Sequence, residues 1–84
     1  MTVNQVQTYP KGSILFAPGD VAKIVHVVLE GTVVASQGDK QIALGAGGIL
    51  GDVSFFSDRP HTYHAICATN VTTLNITKSH GGRI

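Results

Sequence analysis

Gly, Pro, Asp and Asn recur along this chain at intervals too short for a long helix, and the runs between them are rich in Val, Ile and Thr. β-branched side chains pack well on a pleated surface, and turn residues at this spacing stop a helix before it can bury a face. The chain is thereby confined to many short strands. They are expected at residues 6–9, 13–16, 24–30, 32–37, 40–44, 61–68 and 71–76. Pro10-Lys11-Gly12, Pro18-Gly19-Asp20, Gly38-Asp39 and Thr69-Asn70 separate them, each with its own turn chemistry. Gly38-Asp39 joins two strand-like runs directly and suits a tight hairpin.

Residues 45–56 break this rhythm. Gly45-Ala46-Gly47-Gly48 is flexible, and Gly51-Asp52-Val53-Ser54-Phe55-Phe56 reads as a turn opening into a short helix. Irregular segments held by a sheet are where binding sites concentrate. The fold class is therefore all-β with one short helical turn. Eighty-four residues allow a single domain, 1–84, with its core at about 9–76. Hydrophobic residues make up 43% and charged ones 13%, against roughly 25% charged in an average soluble domain. So little solubilising charge implies that part of the surface is hidden by a partner.

A net charge of +1 with no basic cluster gives no footprint for nucleic acid or an acidic membrane face. Residues 1–9 lack the basic start and apolar run of a signal peptide, and no stretch approaches a membrane span, so a cytoplasmic location is expected. The tail, 79–84, has no evident core role and is expected to be loose or pinned by a neighbour. Cys67, the one cysteine, lies in a Val/Ile-rich run and reads as a small buried hydrophobe. No nucleophile, base and orienting acid fall into a catalytic order, so the chain is not expected to be an enzyme.

Three segments carry a resemblance: Gly12-Ser13-Ile14-Leu15-Phe16-Ala17-Pro18-Gly19-Asp20, then Val25-His26-Val27-Val28-Leu29-Glu30-Gly31-Thr32-Val33, then Leu50-Gly51-Asp52-Val53-Ser54-Phe55-Phe56. Their order and spacing resemble the glycine-punctuated strands and phosphate-binding cassette of the cyclic-nucleotide-binding domain family, over about residues 9–76. The resemblance implies a jelly-roll-like β-roll, a double-stranded β-helix with one helical turn after Gly51. It also implies a ligand site: Gly51 for close backbone approach, the amides of Val53 and Ser54 for the cyclic phosphate, Asp52 for the ribose hydroxyl, His61 for the phosphate charge, and Thr62 beside it.

Two of these positions depart from the family pattern. Asp52 stands where the family has glutamate, which shortens the carboxylate stem by one methylene. His61 stands where it has arginine. Arginine presents a permanent charge in a two-pronged fork, whereas neutral imidazole offers one donor and no charge. Hydrogen bonds to charged groups contribute ~1.5–3 kcal/mol each, so losing one or two weakens binding by roughly 10- to 1,000-fold. Arg59 is the substitute cation to consider. His61 and His64 form a His-x-x-His pair, but residues three apart on a regular strand point to opposite faces, so no metal site is expected.

The resemblance further implies helices after the roll that close over the ligand, and only residues 77–84 follow the last expected strand, so a minimal version without them is expected. Two functions follow. One is a self-associating structural or interaction module, a homo-oligomer with a degenerate pocket, no cofactor and no metal. The alternative is a competent sensor of a cyclic nucleotide or other small anion acting on a partner in trans.

Overall fold

A computed structural model of the chain describes residues 2–78. The elements run β1 (Thr2–Tyr9), β2 (Ile14–Phe16), β3 (Ile24–Glu30), β4 (Val33–Gln37), β5 (Lys40–Leu44), β6 (Ile49–Leu50), α1 (Asp52–Ser57), β7 (His64–Cys67) and β8 (Val71–Lys78). They form two four-stranded sheets, ordered β1-β8-β3-β6 and β2-β7-β4-β5, with every pairing antiparallel. Apart from the β4–β5 hairpin, each strand passes to the sheet opposite the one before it. This repeated crossing winds the chain into the expected all-β roll.

Phe16, Val28, Val33, Leu50, Ala65, Cys67 and Val71 meet between the sheets as the core. Successive strand residues point to opposite faces, so burial of Val33, Ala65, Cys67 and Val71 sends their neighbours outward. β3 departs from this pattern because adjacent Val25 and His26 are both buried. α1 packs against β3 and covers the face that a lone sheet would leave wet.

The largest departures from the expected strands are at β1, β6 and β7. β1 starts at Thr2 rather than residue 6, because it pairs with β8 along its whole length. β6 lies in the glycine-rich segment, where no strand was expected; Ile49 and Leu50 pair with Val27 and His26. The strand expected from residue 61 starts only at His64, which leaves residues 61–63 irregular. The tail expected to be loose or pinned, 79–84, lies outside the described residues. Among the described residues no helix is long and apolar enough to cross a membrane.

Candidate functional site

α1 starts at a residue with no side chain. Gly51 is buried at φ 82°, a left-handed conformation that costs an L-residue energy and costs glycine little. A Cβ built there would stand 2.8 Å from Cε1 of His61 and 3.3 Å from the carbonyl oxygen of Ile24. The glycine is thus required both for the turn and for the close approach of His61. The first intrahelical bond runs from the Phe55 N–H to the Gly51 carbonyl, 3.0 Å, so the amides of Asp52, Val53 and Ser54 have no helical acceptor. At the other end Asp58 adopts φ 61°, and the Arg59 N–H donates to the Ser54 carbonyl at 3.0 Å. The Ser54 hydroxyl donates to the Pro60 carbonyl at 3.2 Å, which ties the helix to the segment that follows.

Between this cassette and the β4–β5 hairpin lies a cavity of about 540 Å³, within the range of roughly 300–1,000 Å³ usual for small-molecule sites. Gly51, Asp52, Val53 and Ser54 line one wall, and Arg59, Pro60, Thr62 and Tyr63 continue it. The opposite wall comes from Ala35, Ser36 and Gln37 of β4 and from Lys40, Ile42 and Leu44 of β5. Five of the six residues singled out in the sequence therefore share one cavity.

The sixth does not. His61 is 4% exposed and is not among the residues lining the cavity. Its N–H donates to the Asp20 carbonyl at 2.9 Å, and its own carbonyl accepts from the Gly19 N–H at 2.8 Å. These two backbone bonds set the direction of the side chain, because residues 61–63 lie outside any regular strand. The imidazole lies parallel to the Phe16 ring, centroids 3.7 Å apart and planes 9° apart. Its Nδ1 is buried without a hydrogen-bond partner. Burial pushes the His61 pKa below its ordinary value, with the Asp20 carboxylate opposing the shift. The residue expected from the sequence to meet a ligand's charge thus has its ring stacked in the core, away from the side chains that line the cavity.

His26 occupies the same core, its ring plane 22° from that of Phe16 with centroids 6.1 Å apart, and edge-on to Tyr9 at 6.1 Å. Its Nδ1 donates to Asn75 Oδ1 at 2.7 Å, an oxygen that also accepts from the Thr73 hydroxyl, and Asn75 Nδ2 donates to the Tyr9 hydroxyl at 2.8 Å. Burial lowers the His26 pKa; the Asn75 bond opposes this and the proximity of His61 adds to it. His64, on the exposed surface, does not join either ring. Among the described residues no three His, Cys, Asp or Glu side chains gather as a metal site. Cys67 is buried in the core, and burial pushes its thiol pKa up.

Tyr63, Lys40, Ile42 and Leu44 were not picked out from the sequence as site residues. Lys40, Ile42 and Leu44 do carry a signal, since they alternate along one strand and share a face. Tyr63 carries none that spacing reveals. Its hydroxyl accepts the Gly51 N–H at 3.0 Å, which places the phenol against the cassette. Burial raises the Tyr63 pKa, the Gly51 bond opposes this, and the Asp52 charge adds to it, so the phenol stays protonated and able to donate.

Comparison with known proteins places this geometry. The chain is 28% identical over 67 residues to a cyclic nucleotide-gated potassium channel of Rhizobium etli, an alignment covering 80% of this chain and 19% of the channel. Its fold superposes with a TM-score of 0.81 on the regulatory subunit of a cAMP-independent protein kinase A from Trypanosoma brucei, at 19% identity, covering 88% of this chain and 28% of that one. An EAL enzyme in its cAMP-bound form gives 0.77 at 20% identity, covering 87% and 21%. The chain therefore spans less than a third of each of these relatives. A family model matches residues 6–81, nearly the whole chain, and with the cassette, roll and cavity already described it establishes that the chain belongs to the cyclic nucleotide-binding domain family.

Proposed function

We propose that this chain is a non-catalytic ligand-binding roll whose cavity takes a small anionic molecule, and that cyclic nucleotides occupy it only weakly. One observation carries the reading: Gly51, Asp52, Val53, Ser54 and Thr62 converge on one cavity while the His61 ring is stacked on Phe16. The cavity supplies shape and polar groups, and the position that brings a fixed positive charge in the family brings none here. Loss of one or two charge-assisted bonds weakens a cyclic phosphate by roughly 10- to 1,000-fold.

Titration calorimetry with cyclic AMP and cyclic GMP at about pH 7.5 tests this, where unperturbed imidazole is neutral. The expected dissociation constants are hundreds of micromolar or weaker, and a low-micromolar value overturns the reading. The variant carrying both Asp52→Glu and His61→Arg is expected to gain affinity, because a guanidinium has no place under Gly51 and must turn toward the cavity.

A second reading, self-association, is favoured by apolar side chains left exposed on the cavity walls and on α1. Ile42, Val53 and Phe56 are 62%, 75% and 72% exposed, and soluble monomers seldom leave large apolar patches bare. A copy of this chain is the covering partner proposed. Sedimentation at tens of micromolar is expected to show a species larger than 8.8 kDa, and an unchanging monomer over a hundredfold dilution overturns it.

A further inference from the structure

Three features weaken the cassette end of the cavity as a place for negative charge. His61 is turned into the core, the Gly51 N–H is already held by the Tyr63 hydroxyl at 3.0 Å, and the Asp52 carboxylate adds charge of the wrong sign. The cations lie elsewhere. Lys40 opens β5 at the hairpin, where it pairs in register with Gln37, and Arg59 follows the helix cap. Both are exposed and both line the cavity; the neighbouring acids Asp39 and Asp58 do not. Gln37 Nε2 donates to the Thr62 carbonyl at 3.1 Å and draws the post-cassette segment to the hairpin end. The Arg59 backbone is itself fixed by its bond to Ser54. Among the described residues neither cation forms an ion pair within the chain.

The apolar part of the cavity runs away from this end. Lys40, Ile42 and Leu44 occupy alternate positions of one strand, and two residues of strand advance about 6.8 Å, so Leu44 lies about 14 Å beyond Lys40. Val53 stands across from this stripe on the cassette wall.

We propose that Lys40 and Arg59 together hold the ligand's anionic group at the hairpin end of the cavity, with an apolar or aromatic body lying along Ile42 and Leu44 toward Val53. This rests on the reading that the cavity binds a small anion. The ligand class is a phosphate or carboxylate carried at one end of an apolar or planar body, and the charge sits away from the family's phosphate position.

Calorimetry with cyclic AMP, phenyl phosphate, octanoate and uncharged adenosine tests it on the wild-type chain and on Lys40→Gln and Arg59→Gln, with thermal melting to verify folding. Both side chains are exposed, so both variants are expected to melt as wild type does. Each substitution is expected to weaken the anionic probes by about tenfold or more, and the weakening is expected to shrink in high salt. Phenyl phosphate stronger than octanoate assigns the anion as phosphate, and the reverse assigns a carboxylate; either order supports the clamp if both variants lose affinity. Anion binding that is unchanged in both variants overturns the clamp and leaves the cavity reading standing. An equal loss for adenosine also overturns it, since the effect would then be structural. No binding of any probe to the wild-type chain overturns the cavity reading, and the clamp with it.

Discussion

Gly51→Ala puts a methyl group where the structure has none to spare, and its cost divides into two parts. A non-glycine residue at φ 82° costs about 1–2 kcal/mol through the contact of Cβ with its own backbone. The new Cβ would also press on Cε1 of His61 at 2.8 Å and on the Ile24 carbonyl at 3.3 Å. The ring cannot retreat easily, because Phe16 lies parallel to it at 3.7 Å and its backbone is bonded to Gly19 and Asp20. Forcing an extra methyl into such packing costs about 1–3 kcal/mol. The sum, about 2–5 kcal/mol, lowers the melting midpoint of a domain this size by roughly 10–30 °C. Gly47→Ala is the internal control: φ is 91° there, but nothing lies within 4 Å of the added Cβ, so only the backbone part, about 1–2 kcal/mol, is expected. Urea unfolding of both variants measures the difference. If Gly51→Ala is no more destabilising than Gly47→Ala, His61 does not pack behind the cassette glycine, and the account of why it leaves the cavity fails with it.

Three more outcomes are expected. His26 and His61 both have pKa values lowered by burial, so the unfolded chain binds protons more readily than the folded one. Melting temperature should therefore be level above about pH 6.5, the unfolded imidazole value, and fall as the pH drops from there toward the lowered folded-state values; a rise toward acid refutes this. Asn75→Ala strips a partner from the half-buried Tyr9 hydroxyl and from two buried groups, His26 Nδ1 and the Thr73 hydroxyl, and at ~1–3 kcal/mol for each buried group left unsatisfied it should cost about 2–6 kcal/mol in urea unfolding, with a loss below about 1 kcal/mol showing that the network is dispensable. Asp58→Gly should stabilise by about 0.5–1 kcal/mol, because Asp58 is exposed and is the one non-glycine at positive φ among the described residues; a lower urea midpoint would show that its carboxylate contributes to the cap.

Much of the fold was legible in local chemistry. β3 and β5 fall where the runs of β-branched and alternating residues put them, and α1 opens after Gly51 as the break in strand rhythm indicated. β6 was not legible, since two residues beside a run of glycines form a strand only because the Val27 and His26 backbone is there to pair with them. Local pattern reports what a segment can do alone, and β6 does nothing alone.

By itself the sequence determined the all-β class, the cassette and the substitution of His61 for a charged residue, because turn propensity, β-branching and side-chain charge are properties of short segments. Only the tertiary structure decided where His61 points. Backbone bonds to Gly19 and Asp20, some forty residues earlier, turn its ring onto Phe16, while Thr62 beside it faces the cavity. The same is true of Lys40, Arg59 and Tyr63, which line one cavity only because a hairpin and the segment after a helix, distant in the chain, are brought to its two sides. Side-chain direction in an irregular segment is fixed by long-range backbone partners, and no spacing along the chain encodes those partners.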